Sequence, residues 1–519
     1  MSDYSHYDRL SAIDAGMLSV EDATTHMHVG AVGIFEAGPL SGPDGGIEID
    51  RVRAALDGAL NSAPRFRQKL ASIPLLEHPV WVDDEHFNLL YHVRHTALPH
   101  PGSERMLKRL VGRLMSQKLD RSRPLWEAWI VEGLEDDRFA FVVKAHHCMV
   151  DGIAGVDLLS GILHPDPEQR PKSTREWIPR PAPDRMQLLR DELALRASLP
   201  LSLAGATWRG LRRPRETAAN LRDGLASLRE SMSSGGEASP TPLDQSVGPF
   251  RRVDWVALDL AGALDVRKAL GGTLNDVVLA CASGAFGRFL RQRGMRIEDL
   301  DFRTSVPVSI RTDAERGELG NRISTLFAKL PIAEPDPRVR LARVIETTRE
   351  LKGSAQRGGW GVLGEISDRA FPSFMGLMLR LMSTRMRLVN AYVSNIPGPR
   401  VPVYLLGARM LEIYPVAPVV NVLAVALFSY DRGLYWGFNA DWDRFPDLHD
   451  LVDATKEELE LLCKAAAAGP VAHIGDEGFD AQPGPEILQL LFDFEEGPFG
   501  ALDKKKMQRI VTGDLAAEL

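Results

Sequence analysis

Cysteine is nearly missing: three in 519 residues, Cys148, Cys281 and Cys463, far apart and odd in number. That excludes a disulfide framework and suits a reduced, cytoplasmic setting. Neither CxxC nor HExxH occurs, so no metal is expected. An excess of positive charge is lacking too. The net charge is −8, whereas a nucleic-acid-binding chain is usually basic, and no nucleic-acid partner is expected. No uninterrupted apolar run reaches the roughly 20 residues that a membrane-spanning helix requires. The nearest stretch, 413–430, is broken by Pro415, Pro418 and Asn421 and is rich in valine, so it reads as buried strands. The first ten residues are polar and lack the apolar stretch of a secretory signal. The expectation is a chain that does not span a membrane, although it could lie on the inner membrane face or on lipid inclusions.

What is present is ordinary globular material. Hydrophobic residues make up 44% and charged residues 25%, enough for a sizeable core, and the length suggests roughly three domain-sized units, or two large ones with connecting segments. Residues 1–165 mix strands (29–36, 126–132 and 139–145) with helices (49–62 and 106–118), and a helix is expected over 152–163. Residues 166–246 open on a run of prolines and continue as Arg-rich helical stretches around 186–198 and 218–231, a long connection with helices of its own. The mixture returns over 247–468, with a helix over 273–291 that Thr273 and Asp276 can cap. Strands are expected over 302–308, 389–394, 419–430 and 434–440. Residues 469–519 form a peripheral acidic and apolar tail.

The chemistry concentrates at His146-His147-Cys148-Met149-Val150-Asp151-Gly152. A strand delivers the two histidines, and neighbouring residues leaving a strand point in opposite directions, so the pair divides into two roles. An imidazole with a pKa of about 6.5 can take a proton from a hydroxyl near neutral pH, a service worth about 10²–10⁴-fold. Asp151 can fix the loop through an arginine, for which Arg311 is a candidate, or through backbone N–H groups. Gly152 permits close approach of a substrate. The alternative is a core histidine pair with a capping aspartate. Cys148, a rival nucleophile, should point away from His147 and reads as structural. His26 and His28 share a strand face but show no third metal ligand, and His86, His92 and His95 read as surface or packed histidines. The Met- and Leu-rich segment 371–388, with its arginines, reads as a core helix, an acyl-chain lining or a lipid-surface helix. Arg209, Arg212, Arg213 and Arg215 read as a solvated helix face or a contact for anionic groups.

The pattern HHxxxDG resembles the acyltransferase superfamily of chloramphenicol acetyltransferase, the HxxxD acyltransferases and peptide-synthetase condensation domains. Further segments resemble one branch, the bacterial wax ester synthase/diacylglycerol acyltransferases: Pro124-Leu125-Trp126 its PLW motif, Asn275-Asp276 its ND motif, and Ser394-Asn395-Ile396-Pro397-Gly398-Pro399 its SNxPGP segment. The openings at Leu10-Ser11-Ala12-Ile13-Asp14, at Val306 to Arg311 and at Gly320-Asn321-Arg322 fit as well. The resemblance runs from about residue 8 to 468. It implies an α/β fold of two chloramphenicol-acetyltransferase-like domains with mixed sheets, joined by the long partly helical connection, with an active-site tunnel at the interface. It also implies acyl-CoA as co-substrate with no cofactor, and diacylglycerol or a fatty alcohol as acceptor. His147, spaced four from Asp151, is then the general base, His146 a positioning or packing residue, and Asp151 an organiser of the loop. Gly152, Pro124, Leu125, Trp126, Asn275, Asp276, Ser394 and Asn395 become substrate-site candidates; the oxyanion donors stay unassigned, with Asn275 and Ser394 as candidates beside the readings of a helix's first turn and a strand-to-turn exit. Two other readings remain: a free-standing condensation-type enzyme acting on carrier-bound substrates, and a non-catalytic lipid-droplet-binding protein.

Overall fold

A computed structural model of the chain describes residues 6–75, 78–149, 161–168, 177–194, 238–309, 323–357 and 389–468. The strands are β1 (Asp8–Arg9), β2 (His28–Glu36), β3 (Gln68–Ser72), β4 (Pro79–Asp83), β5 (Val93–Ala97), β6 (Trp126–Leu134), β7 (Arg138–His146), β8 (Leu163–His164), β9 (Arg251–Asp259), β10 (Arg303–Ser309), β11 (Ile323–Lys329), β12 (Ala391–Pro397), β13 (Tyr404–Leu405), β14 (Ala408–Val416), β15 (Leu423–Tyr430) and β16 (Gly433–Asp441). They form two large mixed sheets, ordered β5-β6-β7-β2-β14-β13-β8 and β11-β10-β12-β15-β16-β9, and a small sheet β1-β4-β3.

β6 and β7 make the hairpin that carries the histidine pair. Its turn holds Asp136 and Asp137 at φ 62° and 53°, left-handed values that short polar residues tolerate and that tight hairpins require. β7 lies between β6 and β2 in the sheet, so both its edges are paired, and the burial of consecutive residues shows that both its faces are covered. Phe139, Ala140, Phe141 and Val142 are all buried, which explains an apolar run without alternation. Helices Ile49–Leu60 and Glu104–Ser116 add Val52, Leu56, Leu107 and Val111 to the same core.

The second sheet sorts its side chains by alternation. On β15, Leu423, Val425 and Leu427 enter a second core, while Phe428 packs against the first. Helices Leu260–Leu270, Leu274–Gln292, Pro337–Arg357 and Leu448–Ala467 supply the helical side of that second core. Among the described residues no single helix is long and apolar enough to cross a membrane. The adjoining pair Leu260–Leu270 and Leu274–Gln292 approaches that composition but bends by 102°, and its buried side chains fill the second core.

The C-terminal half lends strands to the first sheet: β14 pairs antiparallel with β2, and β13 with β14. The β14 backbone then crosses β16 so closely that a Cβ on Gly437 would lie 1.8 Å from the Pro415 carbonyl oxygen. Stacking of Trp255 on Tyr414, with ring centroids 5.1 Å apart, seals the same contact. The stretch expected to be buried strands over 413–430 is thus the end of β14 and all of β15, separated where Pro418 interrupts the pattern. One expectation is corrected: Leu163, read as the end of a helix, lies in strand β8, which pairs with β13. Residues 150–160, 218–231 and 371–388 lie outside the described residues.

Candidate active site

β7 ends at His146, and His147–Met149 form one turn of 3₁₀ helix. Three hydrogen bonds fix this turn. The His146 N–H donates to the Leu125 carbonyl at 2.8 Å and the His147 N–H to the Met27 carbonyl at 2.7 Å. The Cys148 N–H donates to His146 Nδ1 at 3.2 Å. The first two partners lie immediately before the neighbouring strands β6 and β2, so strand pairing sets the position of His147. Helix Ala12–Val20, which begins within the opening motif, packs against the turn.

The two histidines differ as their alternation requires. His146 is 1% exposed, whereas His147 is half-buried. Burial, then the nearby Arg121, pulls the His146 pKa down to about 3, so the ring is neutral at physiological pH. His28, paired with His146 across β2 and β7, is pulled down to about 2, chiefly by burial and then by Lys144. Burial pushes the Cys148 thiol upward, which removes the thiolate that a nucleophile would need. Cys148 therefore packs.

Glu21 and Arg121 complete the surroundings, and neither was singled out in the sequence. The Glu21 side chain is 5% exposed, with Oε1 at 3.6 Å from His28 Nε2 and Oε2 at 3.8 Å from His146 Nε2. Arg121 neutralises it from the exposed side, with Nη2 at 2.5 Å from Oε2, and also donates to the Leu18 carbonyl. His26 joins from the other flank, its ring centroid 5.3 Å from that of His28. No cluster of three or more His, Cys, Asp or Glu side chains among the described residues is arranged to hold a metal.

The PLW segment stands beside the turn as a wall. Pro124 and Leu125 are buried. Trp126 is 1% exposed, donates its indole N–H to the Phe66 carbonyl at 2.7 Å and stacks on His92 at 4.7 Å. His92 is thus a packed histidine. Asp276 is wholly occupied: one oxygen accepts the Thr273 N–H and hydroxyl in a capping box, and the other accepts the Thr348 hydroxyl at 2.7 Å. Its described partners are the helix terminus and helix Pro337–Arg357, not the histidines. Asn275 sits half-buried in the first turn of helix Leu274–Gln292.

On β12, Ala391 and Val393 enter the second core, which puts Asn395 on their face and Ser394 on the opposite one. Ser394 is paired with Ala426, on the side where Phe428 meets the first core. Asn395 keeps a buried Oδ1 without a hydrogen bond. Asp151, Gly152 and Arg311 lie outside the described residues. A cleft of about 310 Å³ opens elsewhere, between His6, Asp8, Arg65, Phe66, Gln68 and Arg180, and neither member of the histidine pair lines it.

The two halves meet around Arg251. Its N–H donates to Ser116 Oγ at 2.8 Å, and its guanidinium reaches the Gly248 and Thr24 carbonyls. Thr24 belongs to the loop that supplies Met27, so the C-terminal half steadies the backbone partner of His147.

Comparison with known proteins bears on family and fold. Residues 10–278 match the model of the wax ester synthase/diacylglycerol acyltransferase catalytic domain, and residues 319–463 that of the C-terminal domain of the same family. A Mycobacterium tuberculosis H37Rv protein named as a probable diacylglycerol O-acyltransferase is 33% identical over 473 residues, 88% of this chain and 96% of the relative. The solved wax ester synthase/diacylglycerol acyltransferase of Marinobacter aquaeolei VT8 superposes with a TM-score of 0.60 at 25% identity, covering 88% of this chain and 100% of that one. The first condensation domain of the calcium-dependent antibiotic synthetase shares the fold at a TM-score of 0.57 and 17% identity, over 91% of this chain and 98% of that domain.

Proposed function

The chain belongs to the wax ester synthase/diacylglycerol acyltransferase family and is an acyltransferase, and from that premise we propose that it moves a long-chain acyl group from acyl-CoA to the hydroxyl of diacylglycerol, making triacylglycerol. Long-chain alcohols are second acceptors, giving wax esters. The observation that carries the reading is the reactive turn: His147 stands half-buried at the end of a buried strand, its backbone locked to Met27, beside a His146 that burial keeps neutral.

In this mechanism His147 accepts the proton of the acceptor hydroxyl while the oxygen attacks the thioester carbonyl. The C–O bond forms, the carbonyl π electrons move to oxygen, and the oxyanion takes hydrogen bonds in a water-poor site. Collapse breaks the C–S bond. Coenzyme A departs as thiolate and recovers the proton from the His147 imidazolium, so neither an acyl-enzyme nor a cofactor is required. The orientation of Ser394 supports a place for it in the oxyanion site, and Asn275 is the second candidate. The full use of the Asp276 carboxylate as a cap favours a supporting role for that residue. Asp151 organises the loop after His147.

The test is the full chain with palmitoyl-CoA and, in parallel, diolein, monoolein or hexadecanol, followed by released thiol and by product lipid. Thiol release with diolein, lost by about 10²–10⁴-fold in a folded His147→Ala variant, is the expected result. Retained turnover in that variant removes His147 from the mechanism. Turnover only with an acyl group on a carrier protein favours the condensation-type reading, and no turnover with any acceptor favours the non-catalytic one.

A further inference from the structure

We propose that Glu21 is a positioning residue for His147, acting through the tautomer of His146; this rests on the assignment of His147 as base. The chain of contacts is short. His146 Nδ1 accepts the Cys148 N–H at 3.2 Å, so Nδ1 carries no proton. Burial keeps the ring neutral, and the single ring proton therefore resides on Nε2. Nε2 faces the Glu21 carboxylate at 3.8 Å. That separation is too long for a hydrogen bond, but in a buried setting a carboxylate favours an N–H dipole pointed at it and disfavours a nitrogen lone pair. The other tautomer is opposed twice: its Nε2 lone pair would face Glu21, and its Nδ1–H would face the Cys148 N–H. Without that hydrogen bond, the turn His147–Met149 loses one of its three ties.

The arrangement is built from both sides. Arg121 holds Glu21 Oε2 and, through the Leu18 carbonyl, the end of helix Ala12–Val20. His28 Nε2, which accepts the Leu119 N–H at 3.5 Å, lies 3.6 Å from the other carboxylate oxygen. Glu21 thus joins the opening segment, the segment before Pro124 and the histidine pair. A purely structural carboxylate would affect folding. A carboxylate that selects a tautomer affects the placement of His147, and so the chemical step rather than substrate affinity.

The experiment compares kcat and KM of the purified full chain with palmitoyl-CoA and the acceptor it uses, for wild type, Glu21→Gln, Glu21→Asp, His146→Asn, His146→Gln and the double variant Glu21→Gln/His146→Asn, together with His147→Ala. Glu21→Gln should lower kcat by about 10–100-fold, by analogy with the range seen when the outer partner of a metal-bound histidine is removed, with KM within about twofold. Glu21→Asp should retain more kcat than Glu21→Gln. Asparagine at 146 places a carbonyl oxygen where Nδ1 lies and has no tautomer to select, so Glu21→Gln should have little further effect in that background. Where Glu21→Gln does not fold, His146→Asn and His146→Gln decide: asparagine should retain the higher kcat, because the glutamine amide reaches the Nε2 position and leaves the Cys148 N–H without the acceptor it has at Nδ1. Unchanged kcat in Glu21→Gln, an equal loss in the His146→Asn background, or a higher kcat for His146→Gln than for His146→Asn overturns the proposal. An inactive His147→Ala beside a neutral Glu21→Gln refutes this inference alone, whereas an active His147→Ala refutes the assignment of the base.

Discussion

Trp126→Phe separates the two meanings of the PLW segment, a wall of the substrate path or a brace of the core. Trp126 lies 1% exposed between Phe66 and His92, with ring centroids at 5.7 and 4.7 Å. Phenylalanine keeps both aromatic contacts and removes the indole N–H. The Phe66 carbonyl then loses the donor it holds at 2.7 Å, and an unpaired buried acceptor costs about 1–3 kcal/mol. The missing pyrrole ring leaves a void on the order of 40 Å³, which at roughly 24 cal/mol per Å³ adds about 1 kcal/mol. The sum, about 2–4 kcal/mol, corresponds to a fall in thermal midpoint of roughly 5–15 °C for a cooperative unit the size of the N-terminal half. Calorimetry reads that shift, and thiol release at 25 °C should leave kcat/KM within about threefold of wild type. A variant with an unmoved midpoint and collapsed kcat/KM would place Trp126 on the substrate path and refute the reasoning.

Three further outcomes follow from buried contacts. Lys144, 1% exposed, bridges Glu127 at 2.5 Å and the carbonyls of Leu114 and Gln117; Lys144→Met leaves the buried Glu127 carboxylate with Arg94 Nη1 at 3.4 Å and takes the donor from two carbonyls, and should destabilise by about 3 kcal/mol, visible as a lower calorimetric midpoint, and no shift would mean that the pair contributes nothing. Gly437→Ala forces a Cβ to within 1.8 Å of the Pro415 carbonyl oxygen and should cost about 3 kcal/mol or more, so a wild-type midpoint would show that β14 and β16 can separate freely. His28 and His146 are depressed to about 2 and 3 in the fold, so below pH 6.5 the unfolded chain binds more protons and stability falls as pH falls. The slope is up to about 1.4 kcal/mol per pH unit for each histidine and levels off only near those folded values; replacing His28 with glutamine should flatten the midpoint-against-pH curve between pH 6 and 4, and an unchanged slope would contradict the burial argument.

The sequence made local structure readable where periodicity and caps agree. Thr273 and Asp276 marked the start of a helix that begins at Leu274, capping box included. Strands β6 and β7 appeared within two residues of their bounds because apolar runs end at turn residues. Sheet membership was hidden: the pattern of β14 is equally good for either sheet, and only the three-dimensional path pairs it with β2. His147 was visible because its motif is contiguous. Glu21 and Arg121 were not, since 100 residues separate them and an ordinary exposed arginine and an acidic residue after a helix carry no local signal. Asp276 shows the opposite limit, for one spacing served both a family motif and a helix cap, and the described contacts are those of the cap.

That limit bears on how the motifs divide their work. Three separated segments, around Asp14, Trp126 and His147, meet because β7 lies between β6 and β2 and helix Ala12–Val20 leads into β2. What two of them offer the third is backbone or support: the Leu125 carbonyl for the His146 N–H, the Trp126 indole to fix the Phe66 backbone beside it, and helix Ala12–Val20 as a floor beneath the turn. A carbonyl cannot be deleted by substitution, only moved, so side chains such as Pro124 and Trp126 matter through the backbone positions they enforce. His147 is held where a strand ends, while its buried neighbours His28 and His146 are kept neutral and fixed.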